Sequence, residues 1–451
     1  MSTLTELTRP DRLDELREWL DETGTLDIAD ELTRLDPAQR AVVFRLLAKD
    51  RALTVFESLD PAHQQELLDG LRAERVRELI ESLDPDDRAR LLDEMPAKIA
   101  KQLQSGLSAQ DRYATATLLG YPAESAGRVM SPEYVNVRAS MSAADALAKV
   151  RRVGGNVENL RVLTVTDDAR RLVGTVDLAT LVTASPAARI NDLVEAETYS
   201  VRADEDQEVA ARLMREADLV ALPVVDREDR LVGIITVDDA MAILEAEETE
   251  DISRIGGVEP LERAYMSASV LGLARKRAVW LLVLIVAAAL TVNVLQFFEE
   301  TLEALVTLAL FIPLLIDTGG NSGSQASTVV IRAMAVGEVR FSDLPRIIWR
   351  ETRVGLLLGA MLAFVGFPIV GLLFGWDFAT VIAFTLVAVC TWASFAGGML
   401  PVIAKRVGID PAVVSAPLIT TLVDATGLVI YFLIARVVLA DRIAGVASAA
   451  M

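Results

Sequence analysis

Five long apolar runs after residue 277 constrain the fold of this chain more than any other feature. An apolar helix of about 20 residues crosses the hydrocarbon core of a bilayer. A run such as VWLLVLIVAAALTVNVLQFF lacks the polar face of a helix at the surface of a soluble domain. We therefore predict an all-α membrane domain over residues 275–451, with five spans in each subunit. The spans run approximately over Ala278–Phe298, Leu302–Ala335, Thr352–Phe374, Phe378–Ala404 and Val413–Leu439.

Basic residues beside these runs predict their direction across the membrane. Arg-Lys-Arg at 275–277 precedes the first run, five arginines surround the connection between the second and third runs, and Lys405 and Arg406 follow the fourth. Lys and Arg favour the cytoplasmic side of short loops. We therefore expect a multi-pass protein of the cell membrane, with the N-terminus in the cytoplasm and the C-terminus outside.

Negative charge is concentrated before the membrane domain. Residues 275–451 contain 11 acidic and 12 basic side chains, which leaves 53 acidic and 32 basic side chains for residues 1–274. An acidic surface repels nucleic-acid phosphates, so no nucleic-acid partner is expected, whereas cations are its natural counter-charge. The single cysteine, Cys390, and the single histidine, His63, exclude an internal disulfide and a Cys/His zinc site.

The stretch PLLIDTGGNSGSQAS, at 313–327, places polar groups in the middle of the second run. A helix loosened by its three glycines is tolerated in a membrane only where the freed backbone groups meet protein or water. Alternatively, the glycines allow a neighbouring helix to approach closely. Close packing alone does not require Asp317, Asn321 and Gln325, which lie four residues apart and therefore share one helix face.

Asp424 is the second anomaly, because it lies near the middle of the last run. A carboxylate at this depth is costly unless it is paired or hydrated, so it is a functional candidate by default. No Lys or Arg lies at matching depth in the same run to form a structural ion pair. We therefore interpret Asp424 as part of an ion pathway.

The ligand types available around Asp424 favour a hard cation. Carboxylate, amide, hydroxyl and backbone oxygens are present, without a thiol or imidazole cluster. Mg²⁺ keeps its waters and is commonly held by one or two carboxylates through that water shell. One mid-membrane carboxylate per chain provides few ligands for an ion. We therefore predict a symmetric homodimer with both Asp424 residues facing a shared axis.

A helical repeat is predicted over residues 1–128. The segments TRLDPAQR, ESLDPAHQ and ESLDPDDR recur every 24 positions, with Asp-Pro at 36/37, 60/61 and 84/85. Asp caps the first free N–H groups of a helix and Pro suits its first position. Leu-rich amphipathic segments follow, so this domain is expected to be an acidic, all-α superhelix.

Residues 129–248 contain one βαββα pattern twice. The two units resemble a tandem pair of CBS domains, an α/β module. The closing segment GIITVDD places Thr236 and Asp239 at the Gly-x-x-Thr-x-x-Asp end of the CBS motif, whose Thr and Asp often contact an adenine nucleotide. The first unit has Asp177 and Thr180 in the corresponding positions. The resemblance therefore implies one possible ATP site, at Thr236 and Asp239.

An acidic connecting helix is predicted over residues 249–274, between the CBS pair and the first span. With this order of domains, and with PLLIDTGGNSGSQAS and PLITTLVDATG in the second and fifth runs, the chain resembles the MgtE family of magnesium channels along essentially its whole length. The resemblance implies that Asp424 is the pore carboxylate that meets hydrated Mg²⁺. It also implies that Thr420 faces the ion through its backbone carbonyl and that Asn321 and Gly323 line the same region. Asp317 stands where other members can carry Gly.

The same resemblance implies how such a channel is controlled. Cytoplasmic Mg²⁺ bridges the acidic faces of the helical domain, the CBS pair and the connecting helix, and so holds the pore shut. Like-charged surfaces repel until divalent ions offset the repulsion. The candidate sensor residues are Asp226 and Glu228 in the CBS pair and Asp251, Glu259 and Glu262 in the connecting segment. The expected function is Mg²⁺-selective uptake gated by intracellular Mg²⁺.

Two other functions fit the same sequence. A CBS-regulated carrier of another divalent cation or of an ion-coupled solute would use Asp424 to couple to protons or Na⁺. A membrane-tethered nucleotide sensor would transport nothing, and its function would not depend on Asp424. The sequence shows no catalytic motif, so we do not expect an enzyme.

Overall fold

The computed structural model describes residues 4–8, 12–95, 97–157, 159–261, 269–411, 414 and 416–442. The chain forms two compact units, one extending to Glu247 and the other containing Glu248–Leu261 and the segment from Ser267 onwards. The two units are described separately below.

The first unit begins with short helices, most of which have nine to eleven residues. These are α1 Leu4–Leu7, α2 Leu13–Glu22, α3 Thr25–Thr33, α4 Pro37–Leu46, α5 Lys49–Glu57, α6 Pro61–Gly70, α7 Ala73–Ser82, α8 Pro85–Glu94, α9 Ala97–Gly106, α10 Ala109–Leu119 and α11 Ala126–Val129. The helix starts predicted from Asp-Pro are confirmed at α4, α6 and α8. Asp36 accepts a hydrogen bond from the N–H of Gln39 at 2.9 Å, and Asp60 accepts one from the N–H of His63 at 3.0 Å.

The 24-residue repeat also has a buried polar element that links successive helices. Arg40 and Arg88 donate through Nε, and Gln64 donates through Nε2, each at 2.9 Å to the carbonyl oxygen eight residues earlier. These carbonyls lie in the last turn of the preceding helix, where no residue four positions further along the helix can donate to them. The repeat therefore joins α3 to α4, α5 to α6 and α7 to α8, around a core rich in leucine.

Two three-stranded sheets follow within the same unit, one for each α/β repeat. The first consists of β1 Tyr134–Arg138, β2 Asn159–Thr166 and β3 Leu172–Asp177, with helices α12 Ala143–Val153 and α13 Leu178–Thr183. The second consists of β4 Val201–Arg202, β5 Ala221–Val225 and β6 Leu231–Thr236, with helices α14 Gln207–Glu216 and α15 Val237–Ile255. In each sheet the first pair of strands is parallel and the second is antiparallel, which confirms the predicted βαββα duplication.

The segment predicted as one connecting helix over 249–274 is not a single helix. Helix α15 runs on from β6 and ends at Ile255, and Gly257 then adopts a left-handed φ of 66°. The N–H of Val258 donates to the carbonyl of Ser253 at 3.0 Å, which closes the helix end. The next described helix starts at Val270. Two consecutive glycines therefore stop the helix that the acidic pattern alone predicted to continue.

The second unit is built from long helices. These are α16 Val270–Phe297, α17 Glu299–Ala304, α18 Ile312–Ala335, α19 Leu344–Phe374, α20 Trp376–Arg406 and α21 Ala416–Val438. A 3₁₀ helix at Val306–Phe311 precedes α18, so the predicted single run Leu302–Ala335 is divided between three elements. The Gly-rich part of α18 is continuous α-helix, and the expectation of a loosened helix is therefore wrong.

Four helices of the described residues are long and apolar enough to cross a membrane: Val270–Phe297, Phe341–Phe374, Trp376–Arg406 and Ala416–Val438. The expected fifth span is not confirmed by this measure. Helix α18 has 24 residues, a sufficient length, but it contains Asp317, Asn321 and Gln325 and is therefore less apolar than the other four.

Glycines bring the long helices into close contact. A Cβ at residue 397 of α20 would lie 2.3 Å from the carbonyl oxygen of Gly323 in α18. A Cβ at residue 359 of α19 would lie 2.5 Å from the Cα of Val387 in α20. Backbones approach this closely only where a side chain is absent.

We expect Gly397→Ala to destabilise the packing of α18 on α20 by about 1–3 kcal/mol, because a backbone carbonyl cannot move aside as a side chain can. The measurement is the temperature at which detergent-solubilised protein leaves its size-exclusion peak. Gly366→Ala is the matched control, because a Cβ at residue 366 would meet only a side-chain carbon at 3.8 Å. Equal midpoints for the two variants would contradict the prediction.

Candidate ion pathway and regulatory sites

Asp424 lies in the middle of α21, where its neighbours Val423 and Ala425 are buried. One of its carboxylate oxygens, Oδ1, is inaccessible to solvent and has no hydrogen-bond partner among the described residues. A Cβ at Gly320 of α18 would lie 3.5 Å from this oxygen. The carboxylate therefore lies beside the Gly-rich part of α18.

Thr420 lies one turn before Asp424 and contacts the same part of α18. Its hydroxyl donates to the carbonyl of Ala416 at 2.9 Å and lies 3.0 Å from the hydroxyl of Ser324. Its methyl carbon lies 2.7 Å from the position that a Cβ of Gly320 would occupy. The side chain of Thr420 thus holds α21 to α18.

Helix α18 has two faces with different roles. Gly319, Gly320 and Gly323 are buried, and a Cβ at residue 323 would lie 2.9 Å from a side-chain carbon of Ile419. Asp317, Asn321 and Gln325 are exposed and, because they are four residues apart, lie together on another face. The glycines therefore pack against neighbouring helices, and the polar row, formed by Asp317, Asn321 and Gln325, is exposed. Gly323 lies on the packed face, whereas Asn321 lies in the polar row.

The two residues proposed to bind a nucleotide contact each other. The hydroxyl of Thr236, at the end of β6, donates to the carboxylate of Asp239 at 2.6 Å. Burial raises the pKa of Asp239 to about 6, the hydrogen bond from Thr236 opposes this shift, and the nearby charges of Asp87 and Asp238 add to it. Asp239, in the first turn of α15, therefore lies close to a helix of the N-terminal repeat.

Three carboxylates form a cluster that the sequence analysis did not single out. Glu57 in α5, Asp84 before α8 and Asp87 in α8 place one oxygen each within 4.8 Å of one another. Burial and the charges of Asp87 and Asp84 raise the pKa of Glu57 to about 7. Burial and the charge of Asp87 also raise the pKa of Asp84, and Asp238 contributes to that shift. Arg90 forms an ion pair with Asp87 at 2.5 Å, which offsets part of this charge. The remaining repulsion between the carboxylates would be relieved by a divalent cation.

One feature of the sequence indicates this cluster. In the third repeat, ESLDPDDR, two aspartates replace the Ala-Gln and Ala-His of the first two repeats. Asp84 also differs in the structure, because its side chain makes no capping hydrogen bond of the kind made by Asp36 and Asp60. The contribution of Glu57 depends on the tertiary packing of α5 against α8 and has no local signal.

The predicted sensor residues lie elsewhere. Asp226 accepts hydrogen bonds from the N–H groups of Glu228 and Arg230, both at 2.9 Å, and so stabilises the turn between β5 and β6. Glu228 lies 4.0 Å from the guanidinium of Arg230. Asp251 is in the last turns of α15 and Glu259 lies 3.9 Å from Lys276. Glu262 lies outside the described residues.

Arg254, in the last turn of α15, was not singled out from the sequence. Its guanidinium forms ion pairs with Glu250, one turn earlier, and with Asp410, in the segment between α20 and α21. A Cβ at Gly257 would lie 3.1 Å from the ring of Pro417, in the first turn of α21. The end of α15 is therefore attached to the start of the helix that carries Asp424.

Comparison with known proteins matches these regions to models of known protein families. A family model described as MgtE, divalent cation transporter, matches residues 312–434, and the MgtE intracellular N domain model matches residues 24–124. CBS domain models match residues 126–187 and 190–246. A magnesium transporter MgtE of Thermus thermophilus is 41% identical over 332 residues, which cover 73% of each chain. The chain belongs to the MgtE family.

Further relatives agree with this membership. An MgtE of Enterococcus faecalis is 33% identical over 322 residues, which cover 70% of each chain. The chain also resembles a solved structure described as the cytosolic domain of the Mg²⁺ channel MgtE in complex with ATP. That likeness has a TM-score of 0.50 and 36% identity and covers 53% of this chain and 98% of the other. The MgtE transporter region includes α18 and α21, and the N domain region includes the cluster of Glu57, Asp84 and Asp87.

The acidic cluster generates a prediction about pH. The pKa of Glu57 in the folded protein, about 7, is above its ordinary value of 4.5. The stability that Glu57 contributes is therefore complete below pH 4.5 and is lost as the pH rises through 7. Mg²⁺ requires the ionised carboxylate, so its affinity should fall by up to about tenfold for each pH unit below 7. We expect Mg²⁺ to raise the thermal midpoint of the purified protein more at pH 8 than at pH 6.

The variant Glu57→Gln tests whether this difference comes from the cluster. Gln cannot ionise. In this variant the Mg²⁺-induced rise in the thermal midpoint should therefore differ less between pH 6 and pH 8. Glu81→Gln is the matched control, because Glu81 is an exposed carboxylate on the adjacent helix α7. A pH-dependent shift that is the same in both variants and in the unaltered protein would contradict the assignment.

Proposed function

We propose that this protein is a channel subunit that admits Mg²⁺ through the cell membrane and that cytoplasmic Mg²⁺ closes. The proposed arrangement is a homodimer with a cytoplasmic N-terminus, an N domain at 1–128, a CBS pair at 129–248, a connecting segment at 249–274 and a pore domain at 275–451. The observation that carries the proposal is Asp424, a mid-helix carboxylate with a buried, unpartnered oxygen beside the Gly-rich helix α18.

The environment of Asp424 suits a hydrated cation. Among the described residues, the charge of Asp317 acts on Asp424, and no Lys or Arg forms an ion pair with Asp424. A carboxylate within a membrane needs a counter-charge or water, and a mobile cation with its water shell supplies both. Thr420 offers its backbone carbonyl and Asn321 its amide, and hard oxygen ligands of this kind suit Mg²⁺.

A second copy of the chain completes the pathway in this proposal. Asp317, Asn321 and Gln325 are exposed on α18, although this helix lies among apolar helices that face lipid. Polar groups at membrane depth face a bundle interior or a water-filled cavity. A twofold axis beside α18 and α21 would place two copies of the polar row and two Asp424 carboxylates around one pore.

The family and its relatives support the choice of transported ion. The matched family is described as a divalent cation transporter, and the relatives of 41% and 33% identity are magnesium transporters. We propose that Mg²⁺ is the transported ion and also the regulatory ion. Since a structure of a related cytosolic domain contains ATP, we also propose that an adenine nucleotide binds at Thr236 and Asp239.

The regulatory site proposed for the cytoplasmic unit is the cluster of Glu57, Asp84 and Asp87. Asp238 and Asp239, in the first turn of α15, add negative charge beside it. In the absence of a divalent ion these like charges repel one another, and a bound Mg²⁺ would hold the N domain to the CBS pair. Asp226, Glu228, Asp251, Glu259 and Glu262 remain proposed secondary contacts for the ion.

Arg254 supplies a link from α15 to the pore helix. Its ion pair with Asp410 and the contact of Gly257 with Pro417 attach the end of α15 to the start of α21. A movement of α15 would therefore act on the helix that carries Asp424. We propose that this link transmits closure to the pore.

The first test is Mg²⁺ entry into proteoliposomes that contain a fluorescent indicator, under an imposed negative-inside potential. We expect Asp424→Asn to reduce the flux at least tenfold, because the amide keeps the shape of the side chain and removes its charge. Glu338→Gln is the matched control and should leave the flux unchanged, since Glu338 is exposed beyond the end of α18.

Two results would reject the proposed function. Equal flux in Asp424→Asn and the unaltered protein would show that the carboxylate is not part of the pathway. Uptake that concentrates Mg²⁺ against its gradient and stops when a proton or Na⁺ gradient is removed would indicate a carrier.

A charge exchange tests the link between α15 and α21. We expect Arg254→Glu and Asp410→Arg each to raise the Mg²⁺ concentration needed for half-maximal closure, because each places like charges together. The double variant restores an attraction and should return this concentration toward its original value. The measurement is current through reconstituted protein against the Mg²⁺ concentration on the cytoplasmic side. Additive effects of the two changes would contradict a direct link.

A further inference from the structure

Asp317 is the carboxylate of the polar row on α18. It lies on the exposed face of α18, four residues before Asn321 and eight before Gln325. Residues four apart lie one above another on a helix, so the three side chains form one polar row. The opposite part of the helix surface, with Gly319 and Gly320, is buried against other helices.

No ion pair or hydrogen bond engages Asp317 within the described residues, although the helix has the length of a membrane span. The hydroxyl of the next residue, Thr318, donates instead to its own helix, to the carbonyl of Leu314 at 2.7 Å. An unpaired carboxylate facing lipid at this depth would be strongly unfavourable. The charge of Asp317 therefore requires a surface that is open to water or to a cation.

Asp317 also lies within electrostatic reach of Asp424. The two charges act on each other, and Asp424 packs beside Gly320, three residues further along α18. Three residues correspond to about 4.5 Å along a helix axis, less than one turn. A cation with its water shell spans a comparable distance, so one ion could contact both carboxylates through its waters.

We infer that Asp317 is a second, outer carboxylate of the ion pathway and sets the affinity with which the pore collects divalent cations. The inference rests on the proposed function and on the proposed orientation, in which the start of α18 is nearer the outside. An entering hydrated Mg²⁺ would then meet Asp317 before Asp424. In a dimer, the two levels would present four carboxylates, and their combined charge favours a divalent ion over a monovalent one.

The test compares the external Mg²⁺ concentration that gives half-maximal flux in proteoliposomes. Asp317→Asn should raise this concentration roughly three- to tenfold, because one of two charges that attract the ion is lost. It should also weaken block by hexamminecobalt(III), a complex with the size and shape of hydrated Mg²⁺. Asp317→Glu keeps the charge and should resemble the unaltered protein.

Glu303→Gln is the matched control, because Glu303 is an exposed carboxylate on α17, before the polar row. It removes an equal charge from the same end of the unit and should leave the half-maximal concentration unchanged. An equal effect of Glu303→Gln and Asp317→Asn would overturn the inference, since it would indicate only a general surface charge.

A cysteine variant tests the exposure of residue 317 independently. Cys390 is the single cysteine of the chain and is buried, so Asp317→Cys in a Cys390→Ala background provides one exposed thiol. A negatively charged methanethiosulfonate should partly restore the affinity for Mg²⁺, and a positively charged one should block the flux. If neither reagent changes flux in this variant, residue 317 does not line the pathway and the inference is overturned.

The outcomes separate this inference from the proposed function. If the unaltered protein admits no Mg²⁺, the proposed function fails. If the unaltered protein admits Mg²⁺, Asp424→Asn does not, and Asp317→Asn has an unchanged half-maximal concentration and block, only the role of Asp317 fails.

Discussion

The close approach of α18 to α21 at Gly320 is the contact on which the candidate pore depends. A Cβ at residue 320 would collide with the methyl group of Thr420 at 2.7 Å and would lie against the carboxylate of Asp424 at 3.5 Å. Neighbouring glycines extend the contact, with Gly319 against Val389 and Gly323 against Ile419. Because the packed face of α18 needs no side chains here, its polar side chains can all lie on the exposed face. The same sequence thus provides helix packing on one side and ligand chemistry on the other.

A second constraint, clustered negative charge, recurs in both units. Glu57, Asp84 and Asp87 share a partly buried space in the cytoplasmic unit, and Asp317 acts on Asp424 in the membrane unit. Such arrangements are unfavourable unless a cation is present. Arginines offset part of the charge at some carboxylates, as Arg90 does beside Asp87 and Arg254 does beside Asp410. Glu57, Asp317 and Asp424 form no such ion pair within the described residues, so we expect them to be more sensitive to the local concentration of divalent ions.

Much of the fold could be predicted because its signals are local. The Asp-Pro pairs predicted the starts of α4, α6 and α8, and the repeated strand pattern predicted both sheets. The two glycines at 256 and 257 are a local signal for the end of α15, whereas the acidic pattern of the connecting segment does not reveal where the helix stops. Helix α18 shows the opposite error, because three glycines each cost helix stability of about 1 kcal/mol relative to alanine. Tertiary packing against α20 and α21 offsets this cost, and no local pattern reveals it.

The candidate sites also divide into those that have a local signal in the sequence and those that have none. Asp424 could be identified because a lone carboxylate in an apolar run is conspicuous whatever the fold. The cluster around Glu57 could not, since it depends on which helices meet. Arg254 was missed for the same reason, as its partner Asp410 lies 156 residues away in the sequence.

Helix α15 carries carboxylates at its start and a permanently charged arginine at its end. Its first turn carries Asp238 and Asp239 beside the acidic cluster, the proposed Mg²⁺ site. Its last turn carries Arg254, whose guanidinium remains charged at every physiological pH. In the proposed mechanism, a link made by this permanent cation does not loosen when Mg²⁺ falls, so it transmits a movement in both the open and closed states. The proposal therefore places sensitivity to Mg²⁺ at the start of the helix and mechanical coupling at its end.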